Sequence, residues 1–394
     1  MLFLSRVKRY IYASILFLPS VNLKAQITAF GDTLNLPQWV QNIVNDTMSA
    51  DKPRFVLIPS VGYTPETKWE IGLSSTVVFH YKNDTSQRLS EIATYAFYTQ
   101  NGQLGVLGDH VIYGPSANWY LLGKFKIENY PLDYFGVGSY TQAEPIAVIS
   151  SNTFNIRERL LKRTYNNLFI GLEIDYQQIN NPQFDWKSSI QNPNLPNGYL
   201  GSNNLGSGLG LVWDSRKNPI NSRKGSLFEV AYLFYPKIFA RSHPMKSIYI
   251  DGRWYQPISG NKVFAAQVYA NFNWGDVPFN QMAVIGGPMI MRGYYIGRFR
   301  DKQYVATQAE FRWLPFKFSK RFGATVFGGL ASLAENPAEV FLKELNTQAS
   351  TDWKWAIGTG LRFLLFPKKD IFSRVDIGFN PEGYGLYIYI GEAF

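Results

Sequence analysis

From Arg54 to the end of the chain, apolar and polar residues alternate with a period of two. In "NKVFAAQVYANFNW" (261–274), Phe264, Ala266, Val268, Ala270, Phe272 and Trp274 share one face, with Gln267, Tyr269, Asn271 and Asn273 on the other. In "YVATQAEFRW" (304–313), Val305, Ala309, Phe311 and Trp313 oppose Gln308, Glu310 and Arg312. In "LFIGLEIDYQ" (168–177), Leu168, Ile170, Leu172, Ile174 and Tyr176 oppose Glu173, Asp175 and Gln177. Side chains on a strand point alternately to its two faces, so each segment predicts a β-strand with one oily and one wet face. No stretch after Arg54 carries a convincing helical period.

A soluble sandwich would alternate in the same way. Two further features separate the cases. The apolar sets end in Trp, Tyr or Phe, as strands do where they meet a membrane interface. The connections also alternate in length. Sixteen strands are read, beginning near residues 54, 68, 88, 103, 118, 147, 164, 205, 225, 247, 261, 303, 321, 353, 371 and 385. Long connections follow the fifth, seventh, eleventh and thirteenth strands, at 129–146, 179–204, 276–302 and 333–352. Short ones follow the even-numbered strands, at 83–87, 114–117, 161–163, 257–260, 314–320 and 365–370, with 215–224 the longest of that set. Long loops on one side and short turns on the other are the asymmetry of an outer-membrane barrel. The expected fold is all-β: a transmembrane antiparallel β-barrel of about sixteen strands, with fourteen or eighteen as alternatives. Closure follows from the solvent. An unpaired backbone N–H or C=O costs several kcal/mol in hydrocarbon, so a sheet survives there only without edges. An even count leaves both chain ends on the periplasmic side.

The N-terminus assigns the compartment. In "MLFLSRVKRYIYASILFLPSVNLKAQ", Arg6, Lys8 and Arg9 precede a short apolar core, Tyr10 to Leu18, and Ala25 is a suitable residue before a cut. Residues 1–25 read as a secretory signal peptide, too short in its apolar part to span a bilayer. Residues 26–53 read as a short periplasmic segment with room for one helix around Pro37 to Met48, and 54–394 as the barrel in the outer membrane of a Gram-negative bacterium. The last strand, "GYGLYIYIGEAF", places Leu386, Ile388, Ile390 and Phe394 on one face. An aromatic end after alternating apolar residues is the pattern read by the outer-membrane assembly machinery. Glu392 interrupts it where an apolar residue is commoner.

Composition narrows the chemistry. The absence of cysteine excludes disulfides and thiol or thiolate-metal chemistry. The three histidines, His80, His110 and His243, are widely scattered, which argues against a histidine metal centre. No G-x-S-x-G elbow is present, and no cofactor or enzymatic activity is expected. The net charge of +10 is spread singly along strands and turns rather than clustered. That fits attraction to anionic lipid headgroups, lipopolysaccharide among the outer-membrane lipids, better than nucleic-acid binding.

One connection stands out. "AVIGGPMIMRGYYIGRFRD" (283–301) follows the eleventh strand. Its Met291, Arg292, Gly293 and Tyr294, preceded by Gly286 and Gly287, resemble the loop motif of the BamA/TamA superfamily of outer-membrane insertases and two-partner secretion transporters. "DSRKNPINSRKG", with Asp214, Arg216, Asn218, Pro219 and Gly225, is similar to a periplasmic turn of that superfamily, and "AEFRW" to its twelfth strand. The resemblance spans roughly residues 54–394 and implies a sixteen-stranded barrel whose sixth extracellular loop folds into the lumen. Arginine keeps its charge and offers a planar fork for carboxylates. By alternation its lumen partner is Glu310, with Asp376 a weaker candidate. The superfamily's usual aspartate in strand thirteen is absent, since "TVFGGLA" has Gly328 and Gly329 there.

The resemblance implies assistance to protein or lipid insertion or translocation at the outer membrane. The glycines Gly383, Gly385 and Gly391 in the last strand would weaken a seam between first and last strands. The periplasmic POTRA repeats of the insertases do not fit into residues 27–53, which implies a partner protein in the periplasm or outer membrane. A passive channel or structural barrel, as part of a larger complex, is the alternative.

Overall fold

The computed structural model describes residues 26–29, 32–35, 54–83, 89–190, 193–216, 218, 221–336, 353–367 and 370–394. The expected signal peptide and the expected helix near 37–48 lie outside the described residues. Within the intervening segment, Gln26–Ala29 pairs antiparallel with Asp32–Asn35.

Sixteen long strands among the described residues form one closed antiparallel barrel. They are β1 (Arg54–Thr64), β2 (Lys68–His80), β3 (Leu89–Thr99), β4 (Leu104–Tyr113), β5 (Trp119–Asn129), β6 (Ala147–Tyr165), β7 (Leu168–Trp186) and β8 (Ser202–Asp214). The second half comprises β9 (Gly225–Tyr235), β10 (Met245–Ser259), β11 (Lys262–Gly275), β12 (Gln303–Trp313), β13 (Phe322–Ala334), β14 (Lys354–Phe366), β15 (Ile371–Asn380) and β16 (Gly383–Ile390). The strand number is the one that alternation predicts.

The wall is inside out relative to a soluble protein. On β7, Leu172 is 65% exposed while the next residue, Glu173, is 1% exposed. The exposed apolar face is what hydrocarbon solvates, and the buried polar face is the lumen side. Lumen charges pair across strands. Arg157 bonds Glu173, and Arg159 bridges Glu173 and Glu229 at 3.1 and 2.9 Å.

Two boundaries differ from the sequence reading. The turn expected at 161–163 lies inside β6, and the chain reverses instead at Asn166–Asn167. β7 runs to Trp186, shortening the expected loop 179–204 to 187–201. At 161–163 alternation continues past the polar residues that suggest an end, whereas near Asn180 a register shift before Gln183 interrupts it and pairing with β6 then resumes to Trp186. β6 and β7 have 19 residues each. At about 3.3 Å per residue and a tilt of about 40° they outreach the hydrocarbon core, so their upper ends need no oily face. The short strand Leu132–Tyr134 pairs there with Ala147–Ile149.

The barrel closes weakly between its ends. β15 and β16 pair continuously, from Ser373 opposite Ile390 to Asn380 opposite Gly383. β16 and β1 share the single register pair Ile388–Tyr63. Beyond it β16 ends at Ile390, whereas β1 continues down to Arg54.

Candidate functional site

The connection between β11 and β12, loop six, enters the lumen. Its base is a short hairpin of Ala283–Ile285 with Phe299–Asp301. Ala283, Ile285, Met291, Tyr294 and Phe299 are buried against Tyr304, Ala306, Ala331, Leu333 and Ala356 of β12, β13 and β14. This apolar packing fixes the loop to one side of the inner wall, at roughly 25 cal/mol per Å² of apolar surface removed from water.

The tip is a tight turn. Tyr294 donates its N–H to the Met291 carbonyl at 3.3 Å, and Gly287 donates to the Tyr294 carbonyl at 3.1 Å. Met291 takes φ 53°, and Gly293 takes φ 124°, a conformation glycine adopts without a Cβ penalty. Gly286 and Gly287 also have positive φ, 106° and 105°. Tyr387 of β16 clamps the turn from below, accepting from the Gly293 N–H at 3.0 Å and donating to the Tyr294 carbonyl at 3.1 Å.

Arg292 then projects into a buried lattice of charge. Its Nη1 donates to Asp376 Oδ2 at 2.6 Å and its Nη2 to Glu310 Oε1. The guanidinium lies 3.6 Å from the centroid of the Phe327 ring, a cation–π contact. Glu310 also accepts from Arg312 Nε at 2.6 Å. Asp376 also accepts from Arg362 and, at 2.7 Å, from Arg374. Arg362 Nε in turn bonds both oxygens of Glu392 at 3.0 Å. Four guanidinium groups and three carboxylates thus alternate in a network shut off from solvent. Charges so placed are tolerable only when paired.

Both expected partners, Glu310 and Asp376, therefore meet Arg292. Alternation put Arg312 on the wet face without giving it a role, and Arg362, Arg374, Tyr387 and Phe327 were not foreseen. Parity along β12 to β16 was a usable signal, because these residues fall on the wet face in register. The glycine at Gly329 also finds a reason: a Cβ there would lie 3.0 Å from Met291 Sδ. The wall at Gly329 makes room for the loop.

Further tethers hold the loop along its length. Gln308 Nε2 donates to the Met289 carbonyl at 2.9 Å, and Arg374 Nη2 to the Pro288 carbonyl at 2.8 Å. Arg298 makes a forked pair with Glu382 at 2.6 and 2.7 Å. The Ile296 N–H donates to Glu66 Oε1 at 2.6 Å, in the turn between β1 and β2.

The periplasmic turn after β8 is built on Asp214, which accepts from the Arg216 N–H and Nε at 3.0 Å and from its Nη2 at 3.1 Å. Asn218 accepts on its carbonyl from Ser222 Oγ at 2.8 Å, and Gly225 restarts the sheet at φ 108°. Pro219 lies outside the described residues.

The end of the chain differs from the sequence reading. Leu386, Ile388 and Ile390 do share the outer face of β16, opposite the buried Tyr387. Phe394 does not join them. The chain leaves the strand at Gly391, and Ala393 and Phe394 turn inward to pack with Tyr255 and Ala265. Arg312 Nη2 donates to the Phe394 carbonyl at 2.9 Å, and its guanidinium stands 5.0 Å from the Phe394 ring.

Among the described residues no group of three or more His, Asp or Glu is placed to hold a metal ion. The charge lattice fastens the tip of loop six to the inner wall through Arg292.

The fold has known counterparts. BamA from Haemophilus ducreyi lacking POTRA domains 1–3 matches with a TM-score of 0.55 at 12% identity, over 98% of this chain and 78% of that one. CdiB from Escherichia coli matches with a TM-score of 0.56 at 9% identity, over 92% of this chain and 71% of that one. CdiB from Acinetobacter baumannii matches with a TM-score of 0.52 at 10% identity, over 95% of this chain and 65% of that one. At these identities the likeness is one of fold. No curated protein sequence matches the chain. The model of the Omp85 superfamily domain matches residues 93–365, more than half of the sequence, and the chain belongs to that superfamily of outer-membrane barrels.

Proposed function

We propose that this barrel assists the insertion or translocation of proteins or lipids at the outer membrane, with loop six as a seated strut and the β1–β16 seam as the working edge. The observation that carries the reading is the seam itself. Pairing between β16 and β1 is one register pair, and below it Phe55, Leu57 and Val61 of β1 face outward at 63, 43 and 59% exposure. A strand edge with free N–H and C=O groups and an apolar outer face is a template for an incoming strand. In hydrocarbon it is also costly to leave open, so it favours capture of a partner. Omp85 membership and the BamA-like and CdiB-like fold support the same class of role. A partner protein that delivers clients from the periplasm completes the scheme.

The test is a covalent lock. The chain has no cysteine, so Tyr63→Cys with Ile388→Cys introduces one disulfide across the single paired position. In cells depleted of the native protein, the reduced double variant restores envelope integrity and the oxidised form does not. Equal rescue by both forms would sink the proposal.

A further inference from the structure

Glu392 has no role in a strand that continues along the barrel wall. Extending β16 from the Ile388–Tyr63 pair sets Ile390 opposite Val61, Glu392 opposite Pro59, Ala393 opposite Ile58 and Phe394 opposite Leu57. In that register Glu392 shares the outer face with Ile388 and Ile390, which puts a carboxylate in the lipid. A charge on the lipid face of a barrel strand is destabilising. Its partner on β1 would be Pro59, which has no N–H to give to the ladder. The extended arrangement is therefore disfavoured from both sides.

The observed arrangement removes both faults. Gly391 turns at φ 90°, a left-handed conformation suited to glycine. Glu392 then reaches into the lumen, where Arg362 Nε meets both its oxygens at 3.0 Å and Arg312 Nε stands 3.9 Å away. Phe394 follows into the cluster of Tyr255, Ala265 and Ala393. We propose that Glu392 is a positioning residue that latches the end of β16 to the lumen arginines and thereby keeps the lower edge of β1 uncovered. Tail and loop six share one lattice, since Arg312 and Arg362, which hold the tail, also bond Glu310 and Asp376, the two partners of Arg292. Seating the loop and drawing in the tail are thus coupled. This is a statement about the position of the tail, and it stands whether or not the seam serves insertion.

Two alternative crosslinks read the position directly in the otherwise cysteine-free chain. Ala393→Cys is combined with Ala265→Cys, its neighbour in the lumen cluster, or with Ile58→Cys, its partner in the extended register. Each pair is oxidised in membranes, and folding is checked by heat-modifiable migration on gels. With Glu392 present, the 265–393 disulfide dominates and the 58–393 disulfide is a trace. With Glu392→Leu the ratio inverts. Glu392→Gln, which drops the charge but keeps a hydrogen-bonding group, moves the ratio the same way by less and serves where the leucine variant does not fold. A dominant 58–393 disulfide in the presence of Glu392, or no 265–393 disulfide there, overturns the latch. So does a ratio that neither substitution shifts.

Discussion

The backbone of Arg292 rests directly on Gly378 of β15: a Cβ at Gly378 would lie 2.2 Å from the Arg292 carbonyl oxygen. The contact is reciprocal, because a Cβ at Gly293 would lie 3.1 Å from the Gly378 carbonyl carbon. Two glycines facing each other let the loop tip reach the wall closely enough for Arg292 to bond Asp376, two residues along the same strand. Gly378→Ala should therefore unseat the tip while leaving the strand paired. Trypsin provides the measurement. Arg292 and Arg298 are buried and should resist cleavage in the native barrel, and both should become cleavable in the alanine variant while the barrel stays folded on gels. Unchanged protection would show that the glycine contact is incidental.

Removal of Arg292 acts on the same seat by charge. Arg292→Ala leaves Glu310 with Arg312, and Asp376 with Arg362 and Arg374. The remaining pairs blunt the loss, so the cost should sit near the lower end of the range for breaking a buried pair, about 3 kcal/mol. Arg292→Lys keeps the charge but lacks the fork that spans two carboxylates, and should fall between the two. The melting midpoint by heat-modifiable migration should follow the order wild type, lysine, alanine. Single-channel conductance in planar bilayers should follow the reverse order as the loop loosens.

The architecture was legible in the sequence because a membrane barrel writes the same period-two pattern on every strand. That pattern placed β12 and the charges Glu310 and Arg312 on its wet face. Loop six was legible through its glycines and its place after β11. The lattice as a whole was not: Arg362 and Arg374 face each other on neighbouring strands, but alternation gives a face and not a register, and no local pattern encodes the curl that brings them together with Arg312 of β12 and with loop six. Phe394 misled for a related reason. Parity assigns it to the lipid side only if the strand continues, and Gly391 ends the strand three residues earlier. The turns near 161 and 179 are hidden because polar residues there lie toward the strand ends, at or beyond the edge of the hydrocarbon, where polarity is no stop signal.

The periplasmic mouth has its own fastening, at Arg223. This side chain forks onto Asp370 at 2.6 Å through both Nε and Nη2, and its Nη1 donates to the Leu314 carbonyl at 2.7 Å. It thus ties the turn after β8 to the turns after β12 and β14, across the mouth. Both charged side chains are partly exposed, so solvent screens the pair. Arg223→Ala should cost about 1–2 kcal/mol, less in high salt. The check is the difference in melting midpoint between variant and wild type at low and high ionic strength. A difference that does not shrink with salt would mean that the contact to Leu314, rather than the ion pair, dominates.

Glu66 joins loop six to the β1–β2 turn in a way that should depend on pH. It lies outside the membrane-spanning strands, buried, with Oε1 accepting from the Ile296 N–H at 2.6 Å. Burial pushes its carboxyl above the usual carboxylate range, against the lowering effect of the Ile296 N–H and the Thr64 hydroxyl. A carboxyl whose folded pKa is raised binds protons more readily in the folded than in the unfolded protein. Folding is then least penalised below the unfolded value, and the penalty grows as pH climbs from there through the raised folded value. Glu66→Gln keeps an oxygen for Ile296 and removes the titration. It should therefore melt higher than wild type at neutral pH, and the two should converge in acid, where Glu66 is protonated and resembles the amide. Melting midpoints of both proteins across that pH range decide the matter. A gap that stays constant with pH would mean that Glu66 titrates alike in the folded and unfolded protein, and that its hydrogen bond rather than its burial governs the anchor.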